Sequence, residues 1–180
     1  MSVKIIRPNR AITTRALSAL ENKIPGQLPS PYRAFLLQNN GGRPEENSFS
    51  MLQQGLGGVV TFFGILGKGK EGDLNTKRLS MADRVPIRYL PIADAEGGNL
   101  LVLSLAPPDL GAVYFWDHEL EAEEGEPATK DNLYPIAQSF DEFLQKLRPF
   151  DPDSVQVDER DVKDVWVSPE LLKQLEEESE

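Results

Sequence analysis

His118 is the residue best suited to acid–base chemistry in this chain, because it is the only histidine and lies between two acids in Trp116-Asp117-His118-Glu119. Such a histidine could serve as a general base or as half of a metal pair. The run follows a predicted strand, where neighbouring side chains point to opposite faces, so Asp117 and Glu119 cannot both orient the imidazole. We favour a histidine that hydrogen-bonds a turn. A hydrolase using His118 with Asp117 or Asp94 is the least favoured alternative.

A glycine-rich segment matches the sequence patterns of two phosphate-binding motifs. Residues 67–72 have the letters of G-x-G-x-x-G, and residues 64–70 have those of G-x-x-x-x-G-K. The second motif needs Ser or Thr next, to hold magnesium, and this chain has Glu71 there. The first needs a strand, a helix and a parallel strand, whereas antiparallel hairpins are predicted here. We therefore predict a basic surface loop that binds no nucleotide.

Composition excludes several classes of site. The chain of 180 residues has no cysteine and one histidine, which removes disulfides, thiolate metal sites, thiol nucleophiles and three-histidine sites. No catalytic residue, metal or cofactor is predicted. The start lacks the continuous apolar segment of a signal peptide, and residues 51–67 are too short to span a bilayer. We expect a cytoplasmic protein that does not bind membranes.

The net charge of −10 is unevenly distributed along the chain. Residues 149–180 contain eleven acids against three bases, a net charge of −8, so residues 1–148 carry only −2. Such a tail is repelled by phosphate, which disfavours direct nucleic-acid binding. A basic protein partner would be attracted.

Acids within the first 148 residues are concentrated in one turn and in the segment that follows a later strand. If the intervening strands form a meander, both clusters emerge at the same end of the sheet and make an acidic rim. Together with the histidine, the candidate partner-binding residues are Asp94, Glu96, Asp117, His118, Glu119, Glu121, Glu123, Glu124 and Glu126. A solvated loop without a partner is the alternative for residues 119–126.

The elements that must position these residues are strands separated by short turns. Residues 89–93, 99–105 and 112–116 are rich in apolar residues, and the turn clusters between them allow hairpins but not a parallel crossover. Residues 59–63 predict a further short strand between glycines. The sheet is therefore predicted to be mainly antiparallel.

Helices are predicted on both sides of this strand region. Thr13 or Thr14 caps a helix to about Lys23, and a weak helix follows Asp73. Ser30 is predicted as the N-cap of a second helix, with Pro31 at its first position and an exit through Asn39-Asn40-Gly41-Gly42. Ser139 and Glu142 form a capping box for a helix to Leu147.

These elements predict an α+β domain over residues 1–148, with helices packed on a mostly antiparallel sheet. Residues 149–180 are predicted to be an acidic C-terminal extension with a short helix opened by Ser168-Pro169.

Four segments resemble the SUKH superfamily, the SMI-one/KNR-four-like domains. They are Leu28-Pro29-x-x-Tyr32-x-x-Phe35-Leu36-x-x-Asn39-Asn40-Gly41-Gly42, Leu90-Pro91-Ile92-Ala93 with Gly97-Gly98-Asn99, Gly111-x-Val113-Tyr114-Phe115-Trp116-Asp117-His118-Glu119, and Ile136-Ala137-x-Ser139-Phe140-x-x-Phe143-Leu144. The match covers about residues 12–147. The resemblance implies an α+β, SUKH-like fold.

The resemblance also implies a function. Bacterial members are commonly immunity proteins that neutralise a cognate toxin, often a nuclease, of a polymorphic or contact-dependent toxin system, and the family is not enzymatic as a rule. Each member fits its own partner, so no site residue carries over by motif. We expect a non-enzymatic protein that neutralises a toxin by stoichiometric binding. A regulatory or scaffold protein with an unrelated partner is the alternative, and the oligomeric state stays open.

Overall fold

The computed structural model describes residues 3–51, 55–67, 69–123 and 125–151. One compact unit comprises Met1–Phe150. The helix predicted after Ser168 and the candidate rim residue Glu124 lie outside the described residues, as does Lys68 of the glycine-rich loop. The extent of the acidic extension therefore stays a prediction.

The described residues form eight strands and four α-helices. The strands are β1 Ile5–Arg7, β2 Arg43–Pro44, β3 Ser48–Met51, β4 Gly55–Phe62, β5 Tyr89–Ala95, β6 Leu100–Ser104, β7 Val113–Trp116 and β8 Leu133–Ala137. The helices are α1 Thr14–Glu21, α2 Ser30–Asn39, α3 Leu74–Ser80 and α4 Phe140–Lys146.

Strands β3 to β8 form one six-stranded sheet in chain order, and every neighbouring pair is antiparallel. Strands β1 and β2 form a separate antiparallel pair. The predicted α+β fold with a mostly antiparallel sheet is therefore confirmed. The sequence did not predict β1, β2, β3 or β8. Strand β8 contains Pro135, which cannot donate to a ladder and is tolerated because β8 is an edge strand.

Aromatic side chains join α2 and α4 to the sheet. Tyr32 and Phe35 from α2 meet Phe140 of α4 with ring centres 4.9 and 5.2 Å apart, and Phe35 lies 5.0 Å from Phe62 of β4. All of these rings are buried. Edge-to-face pairs of this kind add to the free energy gained from burying apolar area, and they fix the helices on one face of the sheet.

The start of α2 differs by one residue from the prediction. Ser30 is already helical, and Pro29 is the N-cap, with φ −59° and ψ 141°. The Pro29 carbonyl accepts from the Arg33 N–H at 3.0 Å, so the first helical hydrogen bond begins there. Pro31 fits within the first turn because the N–H that it lacks would have no helical partner there.

The other predicted helix ends are close to the observed ones. Thr13 caps α1 through the Ala16 N–H, and the Ser139 hydroxyl accepts from the Glu142 N–H at 3.1 Å. The Glu142 carboxylate reaches back one residue further than predicted and accepts from the Gln138 N–H. At the end of α2, the exit is left-handed as predicted, with positive φ at three successive residues, Asn40, Gly41 and Gly42.

Candidate functional site

The predicted meander places both acidic clusters at one end of the sheet. Asp94 on β5 pairs with Leu100 on β6, and Leu100 pairs with Trp116 at the end of β7. Because β5 and β7 run in the same direction, the residues that follow them emerge together. We call this region, together with the segment that follows β7, the acidic end of the sheet, defined by Asp94, Glu96, Asp117, His118, Glu119, Glu121, Glu123 and Glu126.

His118 is held by an amide and not by a carboxylate. The Asn99 Oδ1 atom lies 2.8 Å from His118 Nδ1 and accepts from the His118 backbone N–H at 3.0 Å. Since a carbonyl oxygen can only accept, Nδ1 carries the proton in this contact. Asp117 instead accepts from the Glu119 N–H. The histidine therefore lacks the carboxylate partner of a catalytic dyad within the described residues.

The backbone at His118 also differs from the prediction. His118–Leu120 form a short 3-10 turn capped by Asp117, so the alternation of a strand does not apply. The favoured interpretation, a histidine that hydrogen-bonds a turn, agrees with the observed contact to Asn99. Gly97 and Gly98 marked the turn between β5 and β6 in the sequence, but no pattern indicated that Asn99, which follows that turn, would bind His118.

Two candidate acids are neutralised by bases. The Asp94 carboxylate lies 2.8 Å from Lys77 Nζ of α3. Glu121 accepts two hydrogen bonds from the Arg84 guanidinium, at 2.6 and 2.7 Å. These bonds hold the pKa of the Glu121 carboxyl below its ordinary value. Glu121 therefore joins two segments of the chain, and its charge is compensated locally.

Other candidate acids remain uncompensated. Glu96, Glu119, Glu123 and Glu126 are exposed, and none of their carboxylates forms an ion pair with a described residue. The Glu96 carboxylate packs over Gly58, where a Cβ would approach it to 2.6 Å. The acidic end therefore presents free negative charge beside the two neutralised carboxylates.

The glycine-rich loop is closed by a carboxylate of the chain itself. Asp73 Oδ2 accepts from the N–H groups of Leu66 and Gly67, both at 2.9 Å, and Oδ1 accepts from the Thr76 N–H and hydroxyl. Burial alone would raise the pKa of Asp73, but these hydrogen bonds outweigh burial and lower it. A bound phosphate would meet a negative charge at these donors, because Asp73 already occupies them.

A second polar cluster was not predicted from the sequence. Arg88 bonds Asp109 and Ser104, and the Tyr114 hydroxyl donates to the other Asp109 oxygen at 2.6 Å. The hydrogen bonds outweigh burial and lower the pKa of Asp109, whereas burial and the bond to Asp109 raise the pKa of Tyr114. The cluster ties the turn after β6 to the sheet.

Within the described ranges, no group of three or more histidine, aspartate or glutamate side chains is arranged to hold a metal ion. In the same part of the chain, no helix has the length and apolar character needed to cross a bilayer.

Comparison with known proteins places this architecture in a family. The model of the SMI1 / KNR4 family (SUKH-1) matches residues 11–146. The chain belongs to this family. It is 30% identical over 151 residues to the SPbeta prophage-derived uncharacterized protein YokK of Bacillus subtilis (strain 168), which covers 75% of this chain and 74% of that protein. No solved structure matches the chain significantly. SUKH domains are generally binding modules without catalysis, and they bind partner proteins.

Proposed function

We propose that this SUKH protein is a cytoplasmic immunity protein that neutralises a cognate toxin by stoichiometric binding. The observation that carries the proposal is the uncompensated charge at the acidic end of the sheet. Family membership supports a binding role, and the prophage relative is consistent with a gene from a mobile element. A basic nuclease is the toxin class that fits this charge best.

The mechanism is occlusion assisted by electrostatic steering. Exposed carboxylates such as Glu119 and Glu123 form no ion pair with a described residue, so their field extends into solvent. Such a field raises the association rate of an oppositely charged protein more than its final affinity. Apolar contacts formed after the encounter then determine how long the complex lasts.

The first test is co-expression with the product of the adjacent gene, followed by cell survival and co-purification. We expect protection and a complex of fixed stoichiometry. The toxin released from the complex should be chemically unchanged, because no catalytic step is involved. Protection that requires His118 for substrate turnover would contradict the proposal. Capture of housekeeping proteins alone, without protection, would favour the regulatory or scaffold alternative.

The second test measures association rates by stopped flow at low salt. The double variant Glu119→Lys/Glu123→Lys should associate at least about tenfold more slowly, within the range of steering effects. The control Glu46→Lys/Glu71→Lys makes the same charge change at exposed acids that form no ion pair with a described residue. Glu121 is left intact because its loss would release Arg84. Removal of residues 152–180 should slow association less than the double variant does.

An unchanged association rate in Glu119→Lys/Glu123→Lys would reject the acidic end as the contact surface. It would leave the family assignment standing, since that assignment rests on the whole domain.

A further inference from the structure

A groove lies between two irregular segments beside the acidic end of the sheet. It has a volume of about 1120 Å³ and is lined by residues 82–87 on one wall and by residues 121–123 and 125–128 on the other. Much of its lining is apolar, including Val85, Pro86, Ile87, Ala122 and Pro127. The Ile87 side chain is 76% exposed, more than any other large hydrophobic residue described. This exposure gives the groove an apolar anchor point that nothing in the described chain covers.

The two walls are fixed to each other and to the sheet. The Arg84 guanidinium donates two hydrogen bonds to Glu121 of the opposite wall and lies 5.3 Å over the Trp116 ring. Lys130, just after the second wall, lies 5.9 Å over the Tyr89 ring. A planar guanidinium held by a bidentate pair and an aromatic face has little freedom. The groove is therefore formed before any partner binds.

The charge of the groove selects its occupant. Four carboxylates line it against one guanidinium, and those of Asp83, Glu123 and Glu126 form no ion pair with a described residue. Residues 149–180 carry a net charge of −8 and the whole chain −10, so the acidic extension and a second copy are both repelled. The volume, at the upper end of the roughly 300–1,000 Å³ of small-molecule pockets, leaves room for a short polypeptide segment. A basic polypeptide segment satisfies both the charge and the size.

We propose that this groove binds an extended segment of the partner protein in which an arginine or lysine stands beside an aliphatic residue. The aliphatic side chain packs on Ile87, and the basic side chain pairs with Glu123 or Glu126. This inference rests on the proposed function and names the feature of the partner that the acidic surface recognises. Steering brings the partner to the acidic end, and the groove supplies the apolar contact that prolongs the complex.

The test is a selection of displayed random twelve-residue peptides on the full-length chain. We expect the selected peptides to be enriched in arginine or lysine next to leucine, isoleucine or valine. Each selected peptide, synthesised and titrated, should bind Ile87→Lys/Glu126→Lys at least about tenfold more weakly, because the variant loses the anchor and repels the basic side chain. Both changed side chains are exposed, so the fold should persist.

The matched control is Leu79→Lys/Glu71→Lys, which makes the same substitutions at exposed residues outside the groove and should bind like the parent. A selection without basic enrichment, or peptides that bind the groove variant within twofold of the parent, would overturn the inference. The co-expression assay separates the two proposals. A groove variant that binds no peptide but still protects cells would refute the groove as the toxin contact and leave the immunity function intact.

Discussion

Replacing Asp73 should destabilise the domain more than the replacement of any exposed acid. Its carboxylate is almost fully buried, with the residue 4% exposed, and accepts four hydrogen bonds that close the glycine-rich loop and cap α3. In Asp73→Ala all four are lost. In Asp73→Asn one oxygen becomes an NH2 group, which faces two donors and can accept from neither.

The size of the effect follows from these partners. Losing an aspartate N-cap costs about 1 kcal/mol, and leaving a buried donor unpaired costs about 1–3 kcal/mol. Gly67 is exposed, so water can replace the carboxylate there, and the remaining cost comes chiefly from Leu66 and Thr76. We expect Asp73→Ala to lower the free energy of unfolding by roughly 2–4 kcal/mol at pH 7. This loss corresponds to a melting temperature that is lower by roughly 5–15 °C.

The pH dependence provides the sharper test. The folded pKa of Asp73 is depressed, so its stabilising contribution is present above the unfolded pKa of about 3.9 and is lost as the pH falls through the folded value. The difference between parent and Asp73→Ala should therefore shrink between pH 7 and pH 3, measured by denaturant unfolding. Asp83→Asn, at an exposed aspartate, is the control and should change little. A difference below about 0.5 kcal/mol at pH 7, or one equal at both pH values, would refute the reasoning.

Three further predictions concern the same fold. Gly41→Val/Gly42→Val should lower the free energy of unfolding by at least about 2 kcal/mol, because both residues have positive φ and an added Cβ would collide with backbone carbonyls. A melting temperature equal to that of the parent would refute this prediction. Calorimetry with ATP, GTP and NAD should show no binding, and Lys70→Ala should leave stability unchanged; a saturable micromolar isotherm would contradict the closed loop. Arg84→Lys should lose about 0.5–1 kcal/mol of stability, since lysine cannot form the bidentate pair; an unchanged denaturation midpoint would show that this pair does not stabilise the fold.

Much of the fold was predictable because its signals are local. The meander from β5 to β7 follows from three apolar runs joined by turns too short for a crossover. The cap at Thr13 and the left-handed exit at Asn40 and Gly41 depend on residues within a few positions of each helix end. The short outer strands were missed, and the proline of β8 does not explain this, because β5 contains Pro91 in a similar run of residues and was predicted.

The character of the candidate site was decided by tertiary structure. The sequence by itself determined that the acids of two turns would share one end of the sheet, because strand direction in a meander fixes where each turn emerges. It did not determine which carboxylates would remain free. Lys77 reaches Asp94 and Arg84 reaches Glu121 across long separations in sequence. Lys77 meets Asp94 because α3 packs beside β5, and Arg84 meets Glu121 because the irregular segments that contain these two residues lie together. Such packing has no periodicity that a sequence pattern can carry.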